Sequence, residues 1–285
     1  MEIMLCIKHD DCMTSRLDVV RCLLHEAECD PNFINSDGET PLQLSSDIHI
    51  IKELIQHGAS VSHDEVVFII RNIQDEHYAN LLSVLIQDVS MDGNIVLCLA
   101  CKADRPGFVH YLLSDCECNP NTHTAGETPL QSTSNPKIIK DLLQHGAVLD
   151  ASDVLRWLTG TMDDASVLEI VEYLINKGIW DPNETIHLTD GNTLMHLACE
   201  SNRPSVVHYL LSEALCYPNV MNSFGKTPIQ LASNPWIIKD LANHGAEVDS
   251  DDHWWDDVTW NYIIGPDSSS LVHAYTVVHC HAIID

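Results

Sequence analysis

At 285 residues the chain is long for one globular core and ordinary for a stack of repeats, in which each unit buries its apolar face against its neighbours. Hydrophobic residues make up 45% and charged residues 20% of it, the balance of a folded chain, which excludes wholesale disorder. Fourteen Lys and Arg against 42 Asp and Glu leave a formal charge of −28, a field that repels phosphate backbones and anionic headgroups and argues against nucleic acid or a membrane surface as partner.

The first residues, MEIMLCIKHDDCM, lack the basic flank, apolar core and cleavage site of a secretory signal. Eleven cysteines, an odd number, read as reduced thiols in a cytoplasmic or nuclear protein. No apolar run approaches the roughly 18 residues of a membrane helix.

From there one pattern organises the chain: two adjacent apolar residues followed four later by two more. It begins at Val19-Val20/Leu23-Leu24 and returns at Ile50-Ile51, Leu81-Leu82, Phe108-Val109, Ile138-Ile139, Ile170-Val171, Val206-Val207 and Ile237-Ile238, seven steps of about 31 residues each. Such positions share one side of a helix, whereas a strand demands alternation by two. A shorter helix precedes each, as Leu194–Cys199 does before Val206, so each unit is predicted to be a helix pair.

The units fall into three types that recur in order. Gly93 through Asn121 matches Gly191 through Asn219 at an offset of 98 residues. A compact type follows, seen in GETPLQLSSDIHIIKELIQHGASV and twice again; a divergent type covers Asp64 to Met91, Ser152 to Thr189 and a tail from Ser250. The expectation is a single domain over 1–285 built of three-repeat blocks, 1–91, 92–189 and 190–285, about nine units in all, with 250–285 a degenerate C-terminal cap.

The compact units read Gly38-Glu39-Thr40-Pro41-Leu42 with Gly58-Ala59, Gly126-Glu127-Thr128-Pro129-Leu130 with Gly146-Ala147, and Gly225-Lys226-Thr227-Pro228-Ile229 with Gly245-Ala246. This motif resembles the ankyrin repeat. The resemblance implies an all-α, ankyrin-type helix-pair solenoid, an α-α superhelix with short hairpin tips. It also implies a signalling scaffold or adaptor that binds protein, without cofactor and without catalysis.

Thr40, Thr128 and Thr227 are expected to cap the inner helix ahead of Pro41, Pro129 and Pro228, and Gly58, Gly146 and Gly245 to end the outer one. The motif histidine survives at His196; Gln43, Gln131 and Gln230 stand in its place and are expected to bridge neighbouring backbones. The compact units run 20 residues from the first glycine to the second, a few short of the family's length, which predicts a tightened turn between the helices.

Candidate sites are few. Cys98 and Cys101 form a Cys-x-x-Cys near Cys116 and Cys118, but Cys101 matches Cys199 and Cys118 matches Cys216 across the offset, so these thiols read as core rather than zinc ligands. His57, His145 and His244 share one repeat position beside the closing glycine, where the helix dipole favours a cation, so capping rather than metal binding is the expected role. No Ser-His-Asp or Cys-His arrangement and no phosphate loop emerges.

By resemblance, the partner lies along the inner helices and loop tips. The tips are Ser36, Asp37 and Glu39; Thr124 and Glu127; Asn192; and Ser223, Phe224 and Lys226; the groove-facing helix ends are Lys102, Glu200, Ser201 and Asn202. Phe224 could anchor a partner or pack on the adjacent tip, and Trp254 with Trp255 could dock a partner or close the core. The expected partner is a protein with a basic or neutral surface, bound by a monomer. The alternative is that these repeats regulate or recruit substrate for a larger signalling enzyme or ubiquitin ligase.

Overall fold

A computed structural model of the protein describes residues 13–186 and 190–247, with side chains from residue 16 onward. It holds fourteen α-helices and one 3-10 turn among the described residues, and no strand. It divides into two compact units, Met1–Val148 and Leu149–Asp285.

In the first unit, α1 (Met13–His25) comes first among the described residues. The pairs α2 (Pro41–Leu44) with α3 (Ile48–Gln56), α4 (His63–Asn72) with α5 (Tyr78–Gln87), and α6 (Gly93–Lys102) with α7 (Pro106–Ser114) follow, and α8 (Pro136–Gln144) closes the series. The outer helices α1, α3 and α5 pack successively on one another, as do the inner helices α2, α4 and α6, and α7 packs on α8. The second unit repeats the scheme with α9 (Ala151–Thr159) and α10 (Asp164–Asn176), α11 (Leu194–Glu200) and α12 (Pro204–Ser212), and α13 (Pro228–Leu231) and α14 (Pro235–Asn243). There the inner row is α9, α11 and α13, and the outer row α10, α12 and α14.

All eight apolar quartets lie on outer helices, and the buried side is the predicted one: Ile50, Ile51 and Leu54, or Val206, Val207, Leu210 and Leu211, are buried. Two quartet members are exceptions: Val19, at the first position of its quartet, is 46% exposed, and Ile86, at the fourth position of its own, is 45% exposed. Phe108 is fully buried and stacks on Tyr78 with ring centroids 4.7 Å apart, so an aromatic pair joins one module to the next.

The compact units differ from expectation in where they are short. Their inner helices α2 and α13 span four residues, against seven in α11, and residues 129–132 form only turns. The connection to the outer helix is three residues in these compact units, 45–47 and 232–234, as it is in the longer ones, 103–105 and 201–203. The missing length is therefore taken from the inner helix, not from a tightened turn. A single turn survives because its caps are complete: Thr40 N–H donates to Gln43 Oε1 (2.9 Å) and Gln43 N–H to Thr40 Oγ1 (3.3 Å). Gln131 makes the same exchange with Thr128. The glutamine carbonyl thus closes a box inside its own unit, where bridging between neighbours was expected.

Candidate functional site

The surfaces that could meet a partner are held by three devices that tie one module to another within a unit. The first is the motif histidine. His196 is fully buried, its Nδ1 accepts from Thr193 N–H (3.2 Å) and from the Thr193 hydroxyl (2.8 Å), and its Nε2 donates to the Lys226 carbonyl (3.0 Å) of the following tip. Burial holds its pKa below the ordinary imidazole range, and two donors facing Nδ1 keep that nitrogen unprotonated.

The second device is an arginine that reaches backward. Arg203, 8% exposed, donates to the carbonyls of Leu158 (2.8 Å), Gly160 (2.8 Å) and Met162 (2.5 Å) at the C-terminus of α9. In the first unit Arg105 treats α4 alike, donating to Ile70 (3.1 Å), Arg71 (2.6 Å) and Ile73 (2.8 Å), and it also binds Asp75. Hydrogen bonds from Tyr78 and Arg105 hold the Asp75 carboxyl below the usual carboxylate range. Both capped helices belong to the divergent units, whose orphan carbonyls would otherwise need water.

The third device is an asparagine that reaches forward to the closing glycine. Asn32 Nδ2 donates to Gly58 O (3.0 Å) while its Oδ1 accepts from Ser60 N–H (2.7 Å). Asn121 does the same with Gly146 and Val148, and Asn219 with Gly245 and Glu247. The sequence signal, a Pro-Asn recurring ahead of each Gly-Ala, is visible only once the partner is known.

The tips themselves are rigid. Asn222 N–H donates to Lys226 O (2.9 Å), Gly225 N–H to Asn222 O (3.0 Å), and the N–H groups of Phe224 and Lys226 both donate to Asn222 Oδ1 (3.0 Å). Phe224 is 74% exposed, so it does not pack on the adjacent tip; Met221, Tyr217 and Leu215 are exposed nearby in sequence. Ser223 and Lys226 are exposed too. Asn35 builds an equivalent tip through Glu39, leaving Ser36 and Asp37 exposed and Glu39 half-buried. Thr124 and Glu127 close a two-residue hairpin around Ala125 and Gly126, both in the left-handed region.

Asn192 departs from the expected placement on a tip. It is 4% exposed, donates to Asp190 (2.9 Å) and accepts from Asn222 (2.9 Å), so it spans two tips from beneath instead of presenting itself. Of the helix ends, Lys102 and Glu200 are exposed, Ser201 is half-buried, and Asn202, exposed, accepts from Asn234 (2.7 Å). Lys102 pairs with Glu127 at 2.9 Å, joining a helix end to a tip. Trp254 and Trp255, with the expected cap at 250–285, lie outside the described residues.

The thiols behave as core. Cys98, Cys101 and Cys199 are buried, and burial pushes all three thiols upward, Cys216 to about 12 and the half-buried Cys118 to about 11 with them, which disfavours the thiolate needed of a nucleophile or ligand. His57, His145 and His244 sit at helix C-caps, each with Nδ1 on the carbonyl four residues earlier, at 2.8, 2.9 and 2.8 Å. Their histidine role is thus the capping one expected, with one addition: His57 Nε2 meets His25 Nδ1 at 3.4 Å beside Glu53. Sequence reading missed His25 because it stands one module away at a non-equivalent position.

A family model of three ankyrin repeats matches residues 163–252. Among curated proteins, the nuclear factor NF-kappa-B p110 subunit of Drosophila melanogaster is 35% identical over 82 residues, which are 28% of this chain and 8% of that protein's length. Among solved structures, the human ASB11 ankyrin repeat domain is similar at 20% identity with a TM-score of 0.49, over 71% of this chain and 96% of that one. The family model thus identifies residues 163–252 of this chain as three ankyrin repeats.

Proposed function

We propose that the chain is a scaffold or adaptor that grips a partner protein through its loop tips and the adjoining helix ends, with Phe224 as the aromatic anchor. Ankyrin repeats are generally protein-protein interaction modules and typically non-catalytic, so the reading starts from the family. The observation that carries it is the Asn222–Lys226 tip, locked by four hydrogen bonds that all involve Asn222 while holding Phe224 74% exposed. Interface energy concentrates in such aromatic residues, and a turn already fixed in its bound shape loses little entropy on docking. The formal charge of −28 favours a partner with a basic or neutral face, met by a monomer in the cytoplasm or nucleus. Ser36, Asp37, Thr124 and Glu127 would supply further tip contacts, and Lys102, Glu200, Ser201 and Asn202 those of the groove.

The test is to crosslink partners to the full chain in lysate, identify them by mass, and titrate the purified partner against parent and Phe224→Ala. A loss of tenfold or more, with an unchanged melting temperature, is the expected result. A partner that Phe224→Ala holds at parental affinity overturns the anchor. The second reading, a regulatory or recruiting segment of a larger signalling enzyme or ubiquitin ligase, draws on the matched relative, in which the aligned stretch is 8% of the length. A transcript that carries a catalytic domain in frame with these repeats would favour it.

A further inference from the structure

We propose that His25, Glu53 and His57 form a site for a zinc-type divalent cation at the junction of α1 and α3. His25 is the last residue of α1, while Glu53 and His57 stand four apart at the end of α3 and so share one face of it. One ligand atom from each of the three lies within 4.8 Å of the others.

The tautomer of the neutral His57 ring is fixed by its neighbour. A carbonyl only accepts, so the 2.8 Å contact between His57 Nδ1 and Glu53 O places the proton on Nδ1 and leaves Nε2 with a free lone pair. A ring N–H held on a backbone carbonyl is the usual support of a metal-ligating histidine. That free Nε2 points at His25 Nδ1, 3.4 Å away. The separation is long for a good N–H···N bond, but it equals the edge of a tetrahedron with metal–nitrogen bonds of about 2.0–2.1 Å, which works out at about 3.3–3.4 Å.

Glu53 supplies the third donor. Arg21 Nε donates to its Oε1 at 2.7 Å, and Oε2 is the oxygen left for a further ligand. The guanidinium orients the carboxylate and also opposes a cation, so the affinity is moderate; the formal charge of −28 works the other way. Two imidazoles and one carboxylate suit zinc, cobalt or nickel, and not calcium, magnesium or copper(I). His25 is exposed, which leaves the fourth position to water.

A capping role does not account for His25. The equivalent last residues of α7 and α12 are Ser114 and Ser212, and Ser114 Oγ meets His145 Nε2 at 3.3 Å where His25 meets His57. His145 and His244 make the same cap contact as His57, but His110, which stands edge-on to His145 with ring centroids 6.1 Å apart, turns its Nδ1 to Asp141 and not to the neighbouring ring. The nitrogen-to-nitrogen contact of two imidazoles lies at the first junction, where a bound cation would pin α1 to α3.

The test uses the full chain, Zn2+ alone as probe, and His25→Ser, a replacement that Ser114 and Ser212 already show to be compatible with the fold. Calorimetry and ring-nitrogen NMR on 15N-histidine protein should show one Zn2+ moving the His25 and His57 resonances, at least tenfold weaker in His25→Ser and Glu53→Gln. Zn2+ should raise the melting temperature of the parent and leave that of His25→Ser unmoved, the two being equal in chelator. With Co2+ the site should absorb in the visible without a thiolate charge-transfer band. Equal Zn2+ affinity in parent and His25→Ser, or a Co2+ spectrum dominated by thiolate, overturns the site; neither result bears on Phe224.

Discussion

Replacing Arg203 by alanine should unlatch α9 from the module that follows it. Arg203 is 8% exposed and makes three short bonds, to Leu158, Gly160 and Met162, plus a longer one of 3.5 Å to Trp157 O. Bonds from a charged donor contribute about 1.5–3 kcal/mol each, but they do not add, because truncation lets water reach some of the freed carbonyls. A net loss of about 3 kcal/mol is the reasoned figure, at the low end for breaking a buried charged contact. For a unit of this size that corresponds to a melting temperature lower by about 6–12 °C. Arg203→Lys should recover less than half, since an ammonium is a point charge that cannot fan out over three carbonyls. Circular-dichroism melts and urea titrations of the three proteins decide it. A fall below about 2 °C for Arg203→Ala, or full recovery by lysine, would refute the idea that the planar fork is what holds the helix end.

Three further predictions address the other ties. Asn121→Ala removes both the donor to Gly146 and the acceptor for Val148, and urea denaturation should show a loss of about 1–2 kcal/mol, with Asn121→Asp intermediate because only the acceptor remains. Gly191 has φ +65°, and a Cβ there would lie 2.4 Å from Ser223 Oγ; Gly191→Ala should lose about 1–3 kcal/mol in denaturant titration, with part regained in Gly191→Ala/Ser223→Gly. His196 has its folded pKa depressed by burial, so as pH falls through the unfolded value of about 6.5 the unfolded chain takes up the proton first and stability declines. His196→Gln, which imports the residue of the compact units, should flatten that decline between pH 7 and 5.5; an equal slope in both proteins would show that His196 is not its source.

How far the fold could be read in advance follows from which interactions are local. The apolar quartets report helix faces directly, because a period of 3.6 is written into adjacent residues, and all eight outer helices stand where the quartets lie. The Thr-Pro starts and the histidine C-caps were legible for the same reason, each being a contact over three or four residues. What could not be read spans a whole module. Arg203 looks like a charged residue ahead of a proline, and nothing in its neighbours says that its guanidinium caps a helix some 41–46 residues earlier. Asn192 reads as a turn residue on an exposed tip until Asn222 arrives to cover it. The compact spacing of 20 residues told that something was shorter, but a count cannot say which element gives way, and the capping box let the inner helix shrink to one turn. His25 and His57 became a pair only when α1 was laid on α3.

The opposite reach of the two side-chain ties has a bearing on how such a chain can be trimmed. The asparagine of one module finishes the outer helix of its successor, and the arginine of one module finishes the inner helix of its predecessor. A cut placed between α10 and α11 therefore strips α9 of its finish, whereas a cut just after Asn121 leaves the carbonyl of Gly146 bare on the downstream piece. Fragments sever cleanly only where neither kind of tie crosses, and an engineer who counts helices alone would place the knife badly.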